Sequence, residues 1–255
     1  GGSDWQKIII MDAISKKTEG DTLLDIKFGS LSWKGNEGFY YSTYDRPKEG
    51  SFLAGKTDNH KLYFHKLGTA QKDDQLIFGG SAKQFRYLYG GVSEDQKWLL
   101  ISGANSTYGN ELYVLNLLTP GAAIVQMVSD MKNQHTVIDV DDQFFYIQTD
   151  RNAPNGKLMT AALTTPAEAN WKMLIDSKPE VLSASVAGGN IFCSYLKDAV
   201  SKVYQYDKAG KQIREIVLPG LGSAGGFSAR KDEKELYYGY TGYTAPYSSL
   251  RAENP

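Results

Sequence analysis

Cysteine is nearly absent from this chain. Of 255 residues only Cys193 carries a thiol. No internal disulfide can form, and neither a reducing nor an oxidising compartment is excluded. Positive charge has no surplus: 28 Lys and Arg stand against 29 Asp and Glu, a formal net charge of -1. With no basic field and no polybasic run, neither nucleic acid nor an anionic membrane is an expected partner. The apolar runs fall far short of the ~20 residues that a spanning helix needs. No signal peptide precedes Asp4, and "GGSDWQKIII" enters a strand almost at once, so any targeting segment is expected upstream of the residues present. The expected location is the cytoplasm, with the periplasm as the alternative.

Catalytic motifs are lacking as well. Histidine occurs only at His60, His65 and His135. A hydrolase triad in the order Ser, Asp, His would need its serine upstream of His135, and no G-x-S-x-G occurs anywhere. "GLGSAGG" around Ser223 has Leu221 where the motif needs Gly, and no histidine follows it. It reads as a small-residue inner strand. His60 and His65 are five apart without a Cys or carboxylate at ligand spacing, so no metal site is expected there. "DVDDQ", from Asp139 to Gln143, lacks the Gly and terminal Glu of a calcium loop and reads as a solvated turn. No phosphate-cradling Gly loop is present, so no cofactor is expected. Cys193, mid-strand beside Ile191 and Phe192, reads as a small core residue.

What is abundant is strand and turn chemistry: 17 Tyr, 10 Phe and 26 Gly. Only "AISKKTEGDTLLDI" and "TTPAEANWKMLID" have helical spacing, and Gly, Pro or β-branched breaks in each argue against a helix. Short aromatic strands recur instead. "EGFYYS" ends at Ser42, "KWLLIS" at Ser102, "QFFYIQ" at Gln148, "GNIFCS" at Ser194 and "ELYYG" at Gly239, at spacings of 60, 46, 46 and 45 residues. A further strand follows each anchor, as in "KLYFHKL", "ELYVLNL", "KLMTAAL", "KVYQYD" and "SSLRAE". An inner strand and its turn precede each, as in "GGVSEDQKW".

Several short strands in a period of about 45 residues mark the blade of a β-propeller. Such a blade cannot bury both faces alone, and stacking neighbours buries them. A β-sandwich with evenly spaced strands is the alternative, disfavoured by three intervals agreeing within a residue. The expected fold is therefore all-β, a propeller of four-stranded antiparallel blades spanning 1–255. "DWQKIIIMDA" resembles the third strand of a unit, with Ile8 in the place of Leu62 or Leu112. The chain is expected to open partway through one blade, run through five periods and end partway through another. One connection, residues 43–60, is about ten residues longer than its counterparts and reads as a functional, mobile lid.

Longer stretches carry a family resemblance. "DIKFGSLSWKGNEGFYYSTYDRP", "HKLYFHKLGTAQKDDQLIFGG", "VSEDQKWLLISGAN", "TDRNAPNGKL", "ANWKMLI" and "LPGLGSAGGFSARKDEKELYYGYTGYTAP" resemble, in order, the propeller domain of prolyl oligopeptidases, serine peptidases of the S9 clan. The resemblance runs from "GSDW" to "TAPYSSL" and includes the long 43–60 loop. It implies a seven-bladed propeller inserted in an α/β-hydrolase domain that cuts short peptides after proline. The propeller covers the active site and excludes folded proteins. The parts of that family missing here are the first blade's early strands, the last blade's completion and the whole hydrolase, whose triad would lie beyond Pro255. The closing "RAENP" departs from the family pattern, so that boundary reads as artificial.

The resemblance also implies outer substrate-pocket walls at Phe28, at Tyr87, and in the turn at Ser106 or Thr107, where some members carry a cysteine. Antiparallel inner and second strands bring the start of the one and the loop after the other to a single face. Phe28, Tyr87, Ser106, Thr107, the lid (Tyr44, Arg46, Phe52, Lys56) and the turn at Arg151 and Asn152 are all expected there. The implied partners are the hydrolase domain of the same parent chain and short proline-containing peptides. The chain alone is expected to be inactive; a free-standing propeller serving as a protein-interaction platform is the alternative.

Overall fold

The computed structural model describes residues 4–46 and 58–253. The chain divides into two compact units, Gly1–Lys132 and Asn133–Pro255. Among the described residues every sheet is antiparallel, with consecutive strands as neighbours. No described helix is long and apolar enough to cross a membrane.

In the first unit β1 (Gln6–Met11) pairs with β2 (Thr18–Ile26) as a two-stranded sheet. Two four-stranded sheets follow: β3 (Leu31–Lys34), β4 (Gly38–Thr43), β5 (Lys61–Lys66) and β6 (Gln75–Gly79), then β7 (Tyr87–Val92), β8 (Trp98–Ala104), β9 (Glu111–Asn116) and β10 (Val125–Val128). Side chains alternate across a strand, and β4 uses both of its faces. Phe39 and Tyr41 pack with Ile10, Leu23 and Ile26 of the preceding sheet. Tyr40, joined by Leu62 of β5, packs with Leu88, Leu99 and Ile101 of the following one. All six residues of β4 are therefore buried. A one-residue register slip would exchange the two cores and is strongly disfavoured. The sheets approach closely at Gly90, where a Cβ would lie 2.8 Å from the Leu62 methyls.

The second unit repeats the plan. Its sheets are β11 (His135–Val140), β12 (Phe144–Thr149), β13 (Lys157–Ala162) and β14 (Lys172–Ile175); β15 (Leu182–Ala187), β16 (Asn190–Lys197), β17 (Val200–Tyr206) and β18 (Gln212–Ile216); and β19 (Gly222–Ser228), β20 (Glu235–Gly242) and β21 (Ser248–Glu253). Here β16 divides its residues between two cores. Ile191, Cys193 and Tyr195 join Tyr146, Leu158 and Leu182. Phe192 faces the other way and stacks on Phe227 at 4.6 Å, which stacks on Tyr238 at 4.7 Å. In both units the inner strand of one sheet lies across the inner strands of its predecessor, β7 over β3, β4 and β5, and β19 over β15, β16 and β17.

The five anchor strands are β4, β8, β12, β16 and β20, each the second strand of its own sheet. Four of these sheets have four strands; among the described residues the fifth has three, and the chain opens with two. Both stretches with helical spacing are extended: residues 18–26 form β2, and in the second only Glu168–Asn170 makes a single 3-10 turn before β14. The expectation of a solvated turn at "DVDDQ" needs correcting. Asp139 lies on β11 with its side chain only 8% exposed, paired with Lys208 and, at 3.3 Å, with Lys231. Two cations offset the desolvation of one carboxylate. Asp141 shapes the turn itself, accepting the Gln143 and Phe144 amides, each at 2.8 Å.

Candidate substrate-facing site

The first unit gathers an aromatic cluster where β3 and β7 begin and β4 ends. It is built on the turn "DIKFGS". Asp25 and Phe28 both adopt left-handed backbone, with φ of 58° and 51°. For residues other than Gly this costs of the order of 1–2 kcal/mol each. The turn is held by surrounding contacts. Thr43 Oγ1 donates to the Asp25 carbonyl at 2.7 Å and accepts the Lys27 amide at 3.1 Å. Gly29 fits only because it lacks a Cβ, which would stand 2.6 Å from Ile26 Cγ2 and 2.8 Å from the Ser42 carbonyl.

Phe28 is thereby turned outward and remains 45% exposed. Its ring meets Tyr44 edge-on at 6.3 Å and Tyr87 at 6.4 Å. Tyr44 is buried, and its hydroxyl donates to the Arg86 carbonyl. Its face stacks on His60 at 4.3 Å. His60 accepts the Leu88 amide at Nδ1, 2.9 Å away, and its ring meets Tyr89 edge-on at 5.9 Å. Burial pushes His60 down to about 4, so the imidazole is neutral at physiological pH and packs as an aromatic. Burial likewise raises the Tyr44 hydroxyl above the ordinary phenol range.

The rim of this cluster is cationic. The Arg86 guanidinium lies 5.4 Å from the Tyr87 ring centre. The Lys27 ammonium lies 5.4 Å from the Phe28 ring and 5.5 Å from Trp5, and pairs with Asp4 at 3.6 Å. Arg46 pairs with Asp25 at 3.3 Å. A neighbouring cleft of ≈ 420 Å³ shares Asp25, Tyr44 and Arg46 with the cluster and extends to Tyr41, Tyr63 and Asp74. Its floor is fixed, because Asp74 accepts the Tyr41 hydroxyl at 2.8 Å and His65 Nδ1–H at 2.7 Å.

The structure thus brings Phe28, Tyr44 and Tyr87 together. Ser106 and Thr107 follow β8 and are exposed; Ser106 Oγ donates to the Tyr108 carbonyl at 2.7 Å rather than joining the rings. Their turn is tied to the cluster through Asn105, whose Oδ1 accepts the Arg86 amide at 2.9 Å. Phe52 and Lys56 lie outside the described residues. Arg151 and Asn152 belong to the second unit, in the β12–β13 turn. Arg151 Nη1 contacts Glu168 at 2.5 Å, and Asn152 takes a left-handed φ of 53°. That turn borders a cavity of ≈ 180 Å³ lined by Gln134, Gln148, Asp150 and Asn155. Gln148 imitates a peptide there: its Nε2 donates to the Leu182 carbonyl at 3.1 Å and its Oε1 accepts the Ala184 amide at 2.9 Å.

Sequence reasoning weighed His60 only as a metal ligand and within the 43–60 lid, and did not place Arg86, Tyr89 or Asn105 at this site. Arg86 could have been found as the neighbour of Tyr87; nothing local singles out His60. Among the described residues no histidine is placed to activate a nucleophile. His60 holds a backbone amide and His65 a carboxylate. His135 Nδ1 meets Thr149 Oγ1 at 2.9 Å, but both residues are sealed from solvent. The arrangement offers aromatic surface and positive charge.

Sequentially wound, four-stranded antiparallel sheets repeated along an all-β chain define the β-propeller class. Residues 1–253 match the family described as prolyl oligopeptidase, N-terminal beta-propeller domain. The chain belongs to that family. It is 48% identical over 246 residues to the prolyl endopeptidase of Elizabethkingia miricola, a match covering 96% of this chain and 35% of that protein. The prolyl endopeptidase of Elizabethkingia meningoseptica matches over the same shares, also at 48% identity. The chain thus spans about a third of the length of these curated relatives. A solved structure from an analysis of two prolyl endopeptidases superposes with a TM-score of 0.90 at 27% identity, covering 99% of this chain and 36% of that one. Prolyl oligopeptidase B from Galerina marginata, solved with a 35mer hydrolysis and macrocyclization substrate, shares the fold with a TM-score of 0.83 at 22% identity, covering 99% of this chain and 37% of that one.

Proposed function

We propose that this chain is the substrate-gating part of a serine endopeptidase that cuts short peptides after proline. It works together with an α/β-hydrolase domain of the same parent protein, in the cytoplasm. The hydrolase supplies the nucleophile, base and oxyanion site, and the propeller supplies selection. The observation that carries the reading is Phe28. A large apolar ring is held half-exposed on a strained backbone, and strain of this kind persists where the surroundings enforce it and function uses it.

The chemistry of selection follows from the cluster. Tyr44, clamped between His60 and the Arg86 carbonyl, backs the Phe28 ring. Tyr87 flanks it. Phe28 and Tyr87 then form two walls of an outer pocket, with the Ser106–Thr107 turn as a third. An apolar side chain two positions before the proline loses its remaining hydration against these rings, a gain of about 25 cal/mol per Å² buried. The pre-formed wall limits the ordering cost of binding.

The test has two arms. The purified chain is assayed on a proline-containing chromogenic peptide, and no turnover is expected. Turnover that a serine-reactive fluorophosphonate abolishes would overturn the division of labour. The parent protein is assayed on matched peptides with proline or alanine before the scissile bond. Indifference between the two would overturn the proline reading.

A further inference from the structure

We infer that Arg86 lets this propeller's outer pocket, walled by apolar rings, also take an acidic side chain, with a glutamate two positions before the proline as the acidic occupant that fits. The inference rests on the reading of Phe28 and Tyr87 as pocket walls.

Three observations support it. First, Arg86 is exposed, and its guanidinium meets no carboxylate among the described residues; its described contact is the Tyr87 ring. The other cations around the cluster are committed elsewhere: Lys27 to Asp4, Arg46 to Asp25 and Lys61 to Asp45. Second, the guanidinium is pre-positioned. Its backbone is pinned on both sides, the carbonyl by the Tyr44 hydroxyl and the amide by Asn105. The Tyr87 ring lies 5.4 Å from the guanidinium carbon, within reach of a cation–π contact. Third, the surface is mixed in the way glutamate is mixed. Phe28 and Tyr87 offer apolar contact to two methylenes, and Arg86 at the rim offers a planar fork to the carboxylate. Aspartate, one methylene shorter, reaches less far. Asp58 is the carboxylate whose field reaches Tyr44 from this side, opposed by Arg86. It lowers the net positive potential without occupying the guanidinium.

The test uses the 255-residue chain and two probes, acetyl-Glu-Ala-Pro-amide and acetyl-Gln-Ala-Pro-amide, titrated while the backbone and aromatic resonances are followed by NMR. The Glu probe should bind about three- to fivefold more tightly at low salt, the range of a partly exposed ion pair. The preference should shrink towards unity at about 1 M salt, where the Debye length is ~3 Å. Shifts should centre on Phe28, Arg86 and Tyr87. Arg86→Gln should abolish the preference while leaving the fold intact, because both hydrogen bonds at this residue belong to its backbone. Arg86→Lys should keep part of it. Equal affinity of the two probes, a preference that survives in Arg86→Gln, or shifts that avoid Phe28 and Tyr87 would each overturn the inference. Failure of the proline reading shows differently, as absent proline specificity in the parent protein's turnover with the probe preference intact.

Discussion

Replacing Phe28 separates a wall from a core residue. Phe39 and Phe85 are fully buried, whereas Phe28 keeps 45% of its surface in water. Truncating a fully buried Phe to Ala costs about 3–5 kcal/mol. Phe28→Ala removes roughly half as much buried area, so a loss of about 1.5–2.5 kcal/mol is expected. In a chain of this size that lowers Tm by about 3–10 °C, and Phe39→Ala should cost about twice as much. The left-handed backbone adds a second signature. At φ 51° a Cβ is strained and Gly is not. Phe28→Gly should therefore be about 0.5–1 kcal/mol more stable than Phe28→Ala, the reverse of the usual order. Thermal and urea unfolding of Phe28→Ala, Phe28→Gly and Phe39→Ala measure this directly. In the parent enzyme, Phe28→Ala should lower kcat/KM for peptides with an apolar residue two positions before proline more than for those with glycine there. If Phe28→Ala costs as much as Phe39→Ala, Phe28 is core and the site assignment fails; a Gly variant weaker than the Ala variant would refute the left-handed backbone that turns the ring outward.

Three further outcomes are expected. Because burial holds His60 down at about 4 against 6.5 when free, the unfolded chain takes a proton that the native state refuses. Stability is then full above pH 6.5 and falls as pH drops towards 4, by roughly 3 kcal/mol; urea midpoints across that range should slope for the wild type and flatten in this window for His60→Phe. Gln148→Leu removes both hydrogen bonds to β15, which are half-buried beside a cavity, a cost of about 0.5–1.5 kcal/mol each; hydrogen exchange at Ala184 should accelerate, and unchanged exchange would contradict the role. Cys193 is fully buried and its thiol is pushed up to about 12; an aromatic disulfide reagent at about pH 8 should label it only at the rate of unfolding.

Much of the fold can be read along the chain because its signals are local. The alternation in "KWLLISGA" became β8, with Leu99, Ile101 and Gly103 on its buried side. The spacing of the aromatic anchors became the spacing of successive sheets. The long 43–60 connection stands out by length alone, although Phe52 and Lys56 lie outside the described residues. Local signals fail where a side chain's environment comes from another sheet. "DVDDQ" carries every mark of a solvated turn, yet Asp139 is enclosed because Lys208 and Lys231 arrive from later hairpins.

The sequence by itself determined the all-β class, the period, the second-strand anchors and, through resemblance, the family. Periodicity and turn composition act over a few residues, so they survive without coordinates. Tertiary structure alone decided that Tyr44 stacks on His60, that Asn105 braces Arg86, and that the Arg86 guanidinium lies over Tyr87 with no carboxylate among the described residues to answer it. Those partners are brought together by loops joining different strands, at a turn where Phe28 takes a backbone conformation its residue type disfavours. No pattern along the chain encodes such a meeting, because packing of β3, β4, β7 and β8 sets the distances.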